Sequence, residues 1–148
     1  MNWILKNFDS LSREELYEIL RLRSEIFVVE QNCAFQDMDE KDFCALHLFL
    51  RDANNKKIIT YARLFQPGDY YFQASIGRVA VKLENRREGL GHHLMKKAIE
   101  EIETNFHTKP IKIGAQLYLK EFYESHGFQQ IGEEYIEDGI PHIHMLRK

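Results

Sequence analysis

Residues 76–94, IGRVAVKLENRREGLGHHL, join a strand to a helix through a turn that carries two glycines. Ile76, Val79 and Val81 are β-branched and suit a pleated, half-buried surface, and Leu83 closes the apolar run. Residues 84–91 are mainly polar. From Leu90 the apolar side chains recur at Leu94, Met95, Ala98, Ile99 and Ile102, the stripe of a helix with one buried face. The first N–H groups of such a helix have no intrahelical partner, and its dipole is positive at that end. The end therefore suits an anion, above all a phosphate. Gly89 and Gly91 let a ligand come close to the backbone, and Arg86 and Arg87 set two permanent cations beside it. A plain strand–helix turn with solvated arginines would use the same residues.

Two phosphate motifs are excluded. The chain has no G-x-x-x-x-G-K-[ST], and the third glycine of a dinucleotide fingerprint is replaced by Leu94. What remains is Arg86-x-x-Gly89-x-Gly91.

The chain has 148 residues, enough for one domain (1–148) with a sizeable core, and 44% are hydrophobic. Its net charge of −3 gives no sign of a nucleic-acid or anionic-membrane binder. No apolar run has the length of a membrane span or a signal peptide. Cys33 and Cys44 form neither a disulfide framework nor a C-x-x-C pair, so the expected location is cytoplasmic.

In chain order, Trp3–Phe8 predicts a strand. Ser12 with Glu15 is a capping-box signal for a helix whose face carries Leu16, Ile19, Leu20, Ile26 and Phe27. Residues 30–42 hold five acids against one lysine and show no period. They predict a loop, either simply solvated or acting as a funnel for a cationic amine. Residues 45–51 alternate as a strand, Asn54-Asn55 marks a turn, and 58–65 returns as a second strand. After the central strand and the helix of 89–105, residues 110–115 predict a strand and 116–125 a helix stopped by Gly127. Residues 128–135 and 140–147 form a last antiparallel pair across Asp138-Gly139. The order β-α-β-β-β-α-β-α-β-β points to an α/β (α+β) fold with a mixed sheet.

Arg86-x-x-Gly89-x-Gly91, placed after a strand and opening a helix, resembles the acetyl-CoA signature R/Q-x-x-G-x-G/A of the GNAT superfamily of N-acetyltransferases. A second stretch, AQLYLKEFYESHGF at 115–128, is similar to the GNAT segment in which an Asn-type residue precedes a Tyr by seven positions and Gly-Phe follows. Gln116 takes the first position and Tyr123 the second. Residues 27–31, 36–37, 62–63, 77–79, 115–116 and 138–142 together resemble the bacterial ElaA family within GNAT, over about residues 16 to 145. One departure is Arg87-Glu88, where many members have Arg-Gly.

The resemblance implies a GNAT acyl-CoA N-acyltransferase fold, with a mixed, mostly antiparallel sheet flanked by helices. It also implies acetyl-CoA as cosubstrate and an amine acceptor. It places the pyrophosphate on Arg86, Arg87, Glu88, Gly89, Leu90, Gly91 and His92, and the pantetheine along Val79, Ala80 and Val81 with Gln116. It gives the oxyanion to a backbone N–H near Val79. Gln31, Arg63 and His142 lie in the matching stretches and are expected on the acceptor side. The family also allows a homodimer.

Tyr123 is the candidate general acid, because a phenol (about 10) can share its proton with a leaving thiolate (about 8.5). Most helical tyrosines are half-buried packing residues, and the motif tips the reading towards catalysis. For the base the sequence offers Glu30 first and His47 second, with His142 and His144 as further options. Any single histidine is better explained as a satisfied structural residue. His92 and His93 are neighbours pointing about 100° apart, and His142-x-His144 lacks completing ligands, so no metal is expected. The alternatives to an enzyme are an acyl-CoA sensor with little turnover and an interaction domain whose glycine turn holds nothing.

Overall fold

The computed structural model describes residues 1–148. The chain runs β1 (Trp3–Asn7), α1 (Arg13–Arg23), β2 (Leu46–Arg51), β3 (Ile58–Phe65), β4 (Ser75–Val81), α2 (Leu90–Phe106), β5 (Ile111–Gln116), α3 (Lys120–Glu124), β6 (Phe128–Glu137) and β7 (Ile140–Arg147). This is the expected α+β order. Strands β1-β2-β3-β4 form one antiparallel sheet and β5-β7-β6 a second.

α1 begins at the expected capping box. The Glu15 N–H donates to Ser12 Oγ at 3.0 Å, and the Ser12 N–H donates back to Glu15 Oε1 at 2.8 Å. The apolar stripe predicts a single helix through Phe27. Instead α1 ends at Arg23 and widens into a π-helical turn, Ser24–Glu30. That wider turn delivers Ile26, Phe27, Glu30 and Gln31 to the molecule's main cavity.

The first sheet is covered on both faces. Ile19, Leu22 and Ile26 pack on Phe49, Ile58, Tyr61 and Ala80. On the other face Leu94, Met95, Ala98, Ile99 and Ile102 of α2 join Leu48, Ala62, Leu64, Ile76 and residues of the second sheet. Period-two alternation would put Ile76 and Ala80 on the same face, yet they lie in opposite cores. A β-bulge explains the switch. Arg63 pairs with Gly77 and Tyr61 with Ala80, so Arg78 and Val79 both stand opposite Ala62. Arg78 takes a left-handed φ of 49° to make it. Beyond the bulge, Thr60 Oγ1 ties the strand back by donating to the Ala80 carbonyl at 2.7 Å.

One isolated main-chain bridge joins the two sheets. Ala74 and Ile111 form a parallel bridge, and the Lys112 N–H donates to the Ala74 carbonyl at 2.9 Å. No ladder continues it, so β4 and β5 part company and leave a gap between them.

The acidic stretch is a loop, as expected, but it is no funnel. Its aspartates are held by three arginines that lie far apart in the chain. Arg23, fully buried, reaches Asp37 at 2.9 Å and Asp42 at 2.6 Å. Arg63 holds Asp39 at 2.7 Å and Asp42 at 2.9 Å, and Arg78 holds Asp37 at 2.7 Å. Charges already paired in this way offer little field to an approaching cation. Burial alone would raise Asp39, but the hydrogen bond and charge of Arg63 hold it down to about 2.

The segment 116–125 also differs from the expected single helix. Gln116 stays extended as the last β5 residue because it pairs with His142 of β7. A 3-10 turn (Leu117–Leu119) then leads into the short α3. No helix is long and apolar enough to cross a membrane.

Candidate active site

The gap between β4 and β5 opens into a cavity of about 670 Å³. One end reaches the N-terminus of α2, and the other reaches the turn between β6 and β7.

At the first end Gly89 caps α2 with φ 78°, no side chain caps the helix, and its first turn carries no acid. The amides of Leu90, Gly91 and His92 thus face the cavity without a capping group to claim them. The two glycines work differently. Gly89 is needed for its left-handed φ, since a Cβ there would meet nothing within 4 Å. At Gly91 a Cβ would make ordinary contact, 3.5 Å from the Phe122 ring, so the protein's own packing does not demand a glycine there. Arg86 is an organiser: its Nε donates to the Val81 carbonyl at 2.9 Å, and its fork grips both Glu30 oxygens at 2.7 and 2.9 Å. Arg87 lines the cavity and makes no ion pair in the protein. Glu88 does not line it. His92 Nδ1 lies 2.9 Å from His126 Nε2. Burial first, then the neighbouring His92 and Arg147, pushes the His126 pKa down.

In the middle Val79, Ala80 and Val81 line one wall, and Gln116 faces them across the gap. Gln116 and Gln31 exchange reciprocal amide hydrogen bonds at 3.2 and 3.4 Å. Tyr123 is 6% exposed and packs edge-on to Phe122 and Phe128, with ring centroids 5.0 and 6.0 Å away. It lines the cavity, and its hydroxyl has no hydrogen-bond partner in the protein. Burial, with a smaller effect of Tyr118, pushes its pKa up, so the phenol keeps its proton.

At the far end His142 lines the cavity. Its Nδ1 lies 2.7 Å from the Ile140 carbonyl. A carbonyl only accepts, so Nδ1 carries a hydrogen, which in the neutral ring leaves the lone pair on Nε2. Nε2 lies 3.4 Å from Glu137 Oε2.

The cavity thus brings together fifteen of the eighteen expected residues and leaves out Glu88, His47 and His144. His47, expected as second-choice base, is only 1% exposed and lies off the cavity. Its Nδ1 accepts from the Tyr61 hydroxyl at 2.6 Å, and its Nε2–H donates to the Asp42 carbonyl at 3.0 Å. With both nitrogens engaged and burial lowering its pKa, it is a structural residue. Glu30 is at the cavity, but Arg86 occupies both of its oxygens. Arg63 reaches the cavity as part of the aspartate network. Sequence reasoning missed Tyr71, Tyr135 and Glu137. For two of them a signal existed: a two-residue Asp138-Gly139 turn fixes the register, pairing Glu137 with Ile140 and Tyr135 with His142.

Two sheets splayed around one cavity, with an uncapped helix start at its mouth, are the architecture of a GNAT acyltransferase. The chain belongs to that family: residues 14–148 match the acetyltransferase (GNAT) domain. Within the family it is similar to Protein ElaA of Escherichia coli. The two are 39% identical over 148 residues, 100% of this chain and 97% of the relative. The ElaA crystal structure superposes with a TM-score of 0.91 over 99% of each chain. An acyl-CoA N-acyltransferase from Pseudomonas aeruginosa, 37% identical, superposes with a TM-score of 0.93 over 100% of both chains. A GNAT family acetyltransferase from Elizabethkingia anophelis, solved with acetyl-CoA bound, shares the fold with a TM-score of 0.65 at 16% identity over 99% of this chain and 98% of that one.

Proposed function

We propose that the protein transfers an acetyl group from acetyl-CoA to a primary amine of a small molecule or peptide. The observation that carries this reading is that one cavity joins the uncapped, acid-free start of α2 to the gap between β4 and β5. The amides of residues 90–92 and the Arg87 cation receive the pyrophosphate. Gln116 exchanges Gln31 for the pantetheine amides, since its amide offers both donor and acceptor. The acetyl-CoA seen in the Elizabethkingia anophelis relative supports the choice of cosubstrate.

The neutral amine attacks the thioester carbonyl, the C–S bond breaks, and an amide and free CoA result. A backbone N–H at the bulge, at Val79, faces the developing oxyanion. Tyr123 gives its proton to the departing thiolate. His142 Nε2 takes the amine proton, and Glu137 stabilises the imidazolium that forms. This assigns the base to His142 rather than to Glu30, whose oxygens Arg86 holds, or to His47, which is outside the cavity.

Thermal shift with acetyl-CoA, CoA and NADH side by side tests the cofactor assignment. A ligand at 100-fold its Kd stabilises by about 2.7 kcal/mol. A shift with the two CoA species alone is expected, followed by amine-dependent CoA release. Equal shifts with NADH, or none with CoA, would remove the assignment.

A further inference from the structure

The acceptor end has a composition that the transfer chemistry does not require. A run of rings crosses it. Phe65 and Tyr70 lie 4.9 Å apart, Tyr70 and Tyr71 4.9 Å, Tyr71 and His144 5.8 Å, His144 and Tyr135 4.6 Å, and Tyr135 and His142 5.7 Å. The run begins beside Arg63, whose guanidinium carbon is 5.1 Å from the Phe65 ring centre, and ends at His142 and Glu137. All of these except His144 line the cavity.

Two details indicate what such a surface is shaped for. Tyr71 and Tyr135 converge over Gly114 of β5, with hydroxyls 3.1 and 3.0 Å from where a Cβ would stand. Gly114 has no left-handed φ, so its missing side chain serves space and not backbone freedom. Any side chain there would push the two phenols apart. The second detail is Arg63 Nε, the buried side-chain nitrogen without a hydrogen-bond partner. Arg63 is 1% exposed, and its Nε lies beside Gly77 on the cavity wall. A buried N–H left unpaired is destabilising, and an oxygen supplied by a ligand would satisfy it. The charge of Arg63 is already met by Asp39 and Asp42, so the site offers a donor without a free positive charge. A neutral oxygen suits it better than a carboxylate.

We infer that the acceptor is a primary amine on an aromatic body with a neutral oxygen at its far side. The amine lies at His142 and Glu137, the body on Tyr71 and Tyr135, and the oxygen at Arg63 Nε. This deepens the N-acetyltransferase reading and rests on it. Offset or edge-to-face packing on the Tyr71 and Tyr135 rings at the cavity wall favours a flat body over a flexible chain.

The test measures CoA release with tyramine, 2-phenylethylamine, hexylamine and spermidine, alongside acetyl-CoA binding by thermal shift. The expected kcat/KM for tyramine is about tenfold above 2-phenylethylamine, which lacks the oxygen, and higher again over hexylamine and spermidine. Gly114→Ala is expected to raise KM for tyramine about tenfold and to leave the acetyl-CoA shift unchanged. Tyr135→Leu repeats that test at a side chain that can shrink without crowding its neighbours. Hexylamine or spermidine matching tyramine would overturn the inference and leave the N-acetyltransferase reading standing. Tyramine and 2-phenylethylamine turning over equally would overturn the role of Arg63 Nε. No CoA release with any amine, despite acetyl-CoA binding, would overturn both readings.

Discussion

The two ends of the cavity are built in different ways. The α2 end is made of main chain: three amides and two glycines, one of them left-handed. Its parts lie within a few consecutive residues. The β6–β7 end is made of side chains from β3, β4, β5, β6, β7 and the segment before β4, which only the folded sheet brings together. A backbone site tolerates many side chains and shows itself as a short local motif. A side-chain site is specific and leaves no local trace.

That contrast can be broken from either end. The largest effect is expected from Tyr123→Phe, between the two ends. Loss of a general acid lowers kcat by about 10²–10⁴, with acetyl-CoA affinity unchanged. Full turnover in the variant would return Tyr123 to a packing role beside Phe122 and Phe128. His142→Gln is expected to lower kcat by about 10² or more through loss of the base, again without affecting the thermal shift by acetyl-CoA. If Glu30→Gln instead produced that kinetic pattern while His142→Gln did not, the base assignment would move to the other end of the cavity.

Next in size is the ion network that holds the loop of residues 31–45. Arg23→Met leaves Asp37 and Asp42 short of a buried partner, and removing one member of such a group costs about 3–5 kcal/mol. Urea unfolding measures it, and a loss below about 1 kcal/mol would show the network to be decorative. Gly89→Val is expected to cost about 1–2 kcal/mol through its left-handed φ and to weaken acetyl-CoA binding, whereas Arg87→Ala should cost little stability. The smallest effect concerns pH. The Asp39 pKa is depressed to about 2 from 3.8 in the folded chain, so its contribution is complete above the unfolded value. It is lost as pH falls between those two values. Asp39→Asn should flatten the acid side of a Tm-against-pH curve; an unchanged curve would show that other carboxylates govern it.

Much of the fold was legible in the sequence. The capping box of α1, the period-two strands and the Asp138-Gly139 turn each follow from a local rule, and the strand order followed with them. The motif at the α2 end was legible too, because Arg86, Gly89 and Gly91 sit in one turn, and all three line the cavity. The bulge at Arg78–Val79 was not, because two residues opposite one break the period that sequence patterning relies on. The ion network was not, because Arg23 stands on an amphipathic helix where an arginine is ordinarily solvated, and its partners lie 14 and 19 positions on. His47 was misread for a related reason. A histidine in a strand looks available until the pairing of β2 with β3 sets Tyr61 against it. Tyr71 and Tyr135 meet only through the gap between β4 and β5, and no spacing in the chain encodes that meeting.

The most direct test of the account is amide NMR of the intact chain during titration with acetyl-CoA and, separately, acetyl-pantetheine, which lacks the pyrophosphate. Saturable shifts are expected at the Leu90, Gly91 and His92 amides with acetyl-CoA and none there with acetyl-pantetheine, while residues 79–81 respond to both. Acetyl-CoA binding that leaves the Leu90–His92 amides unmoved would contradict it.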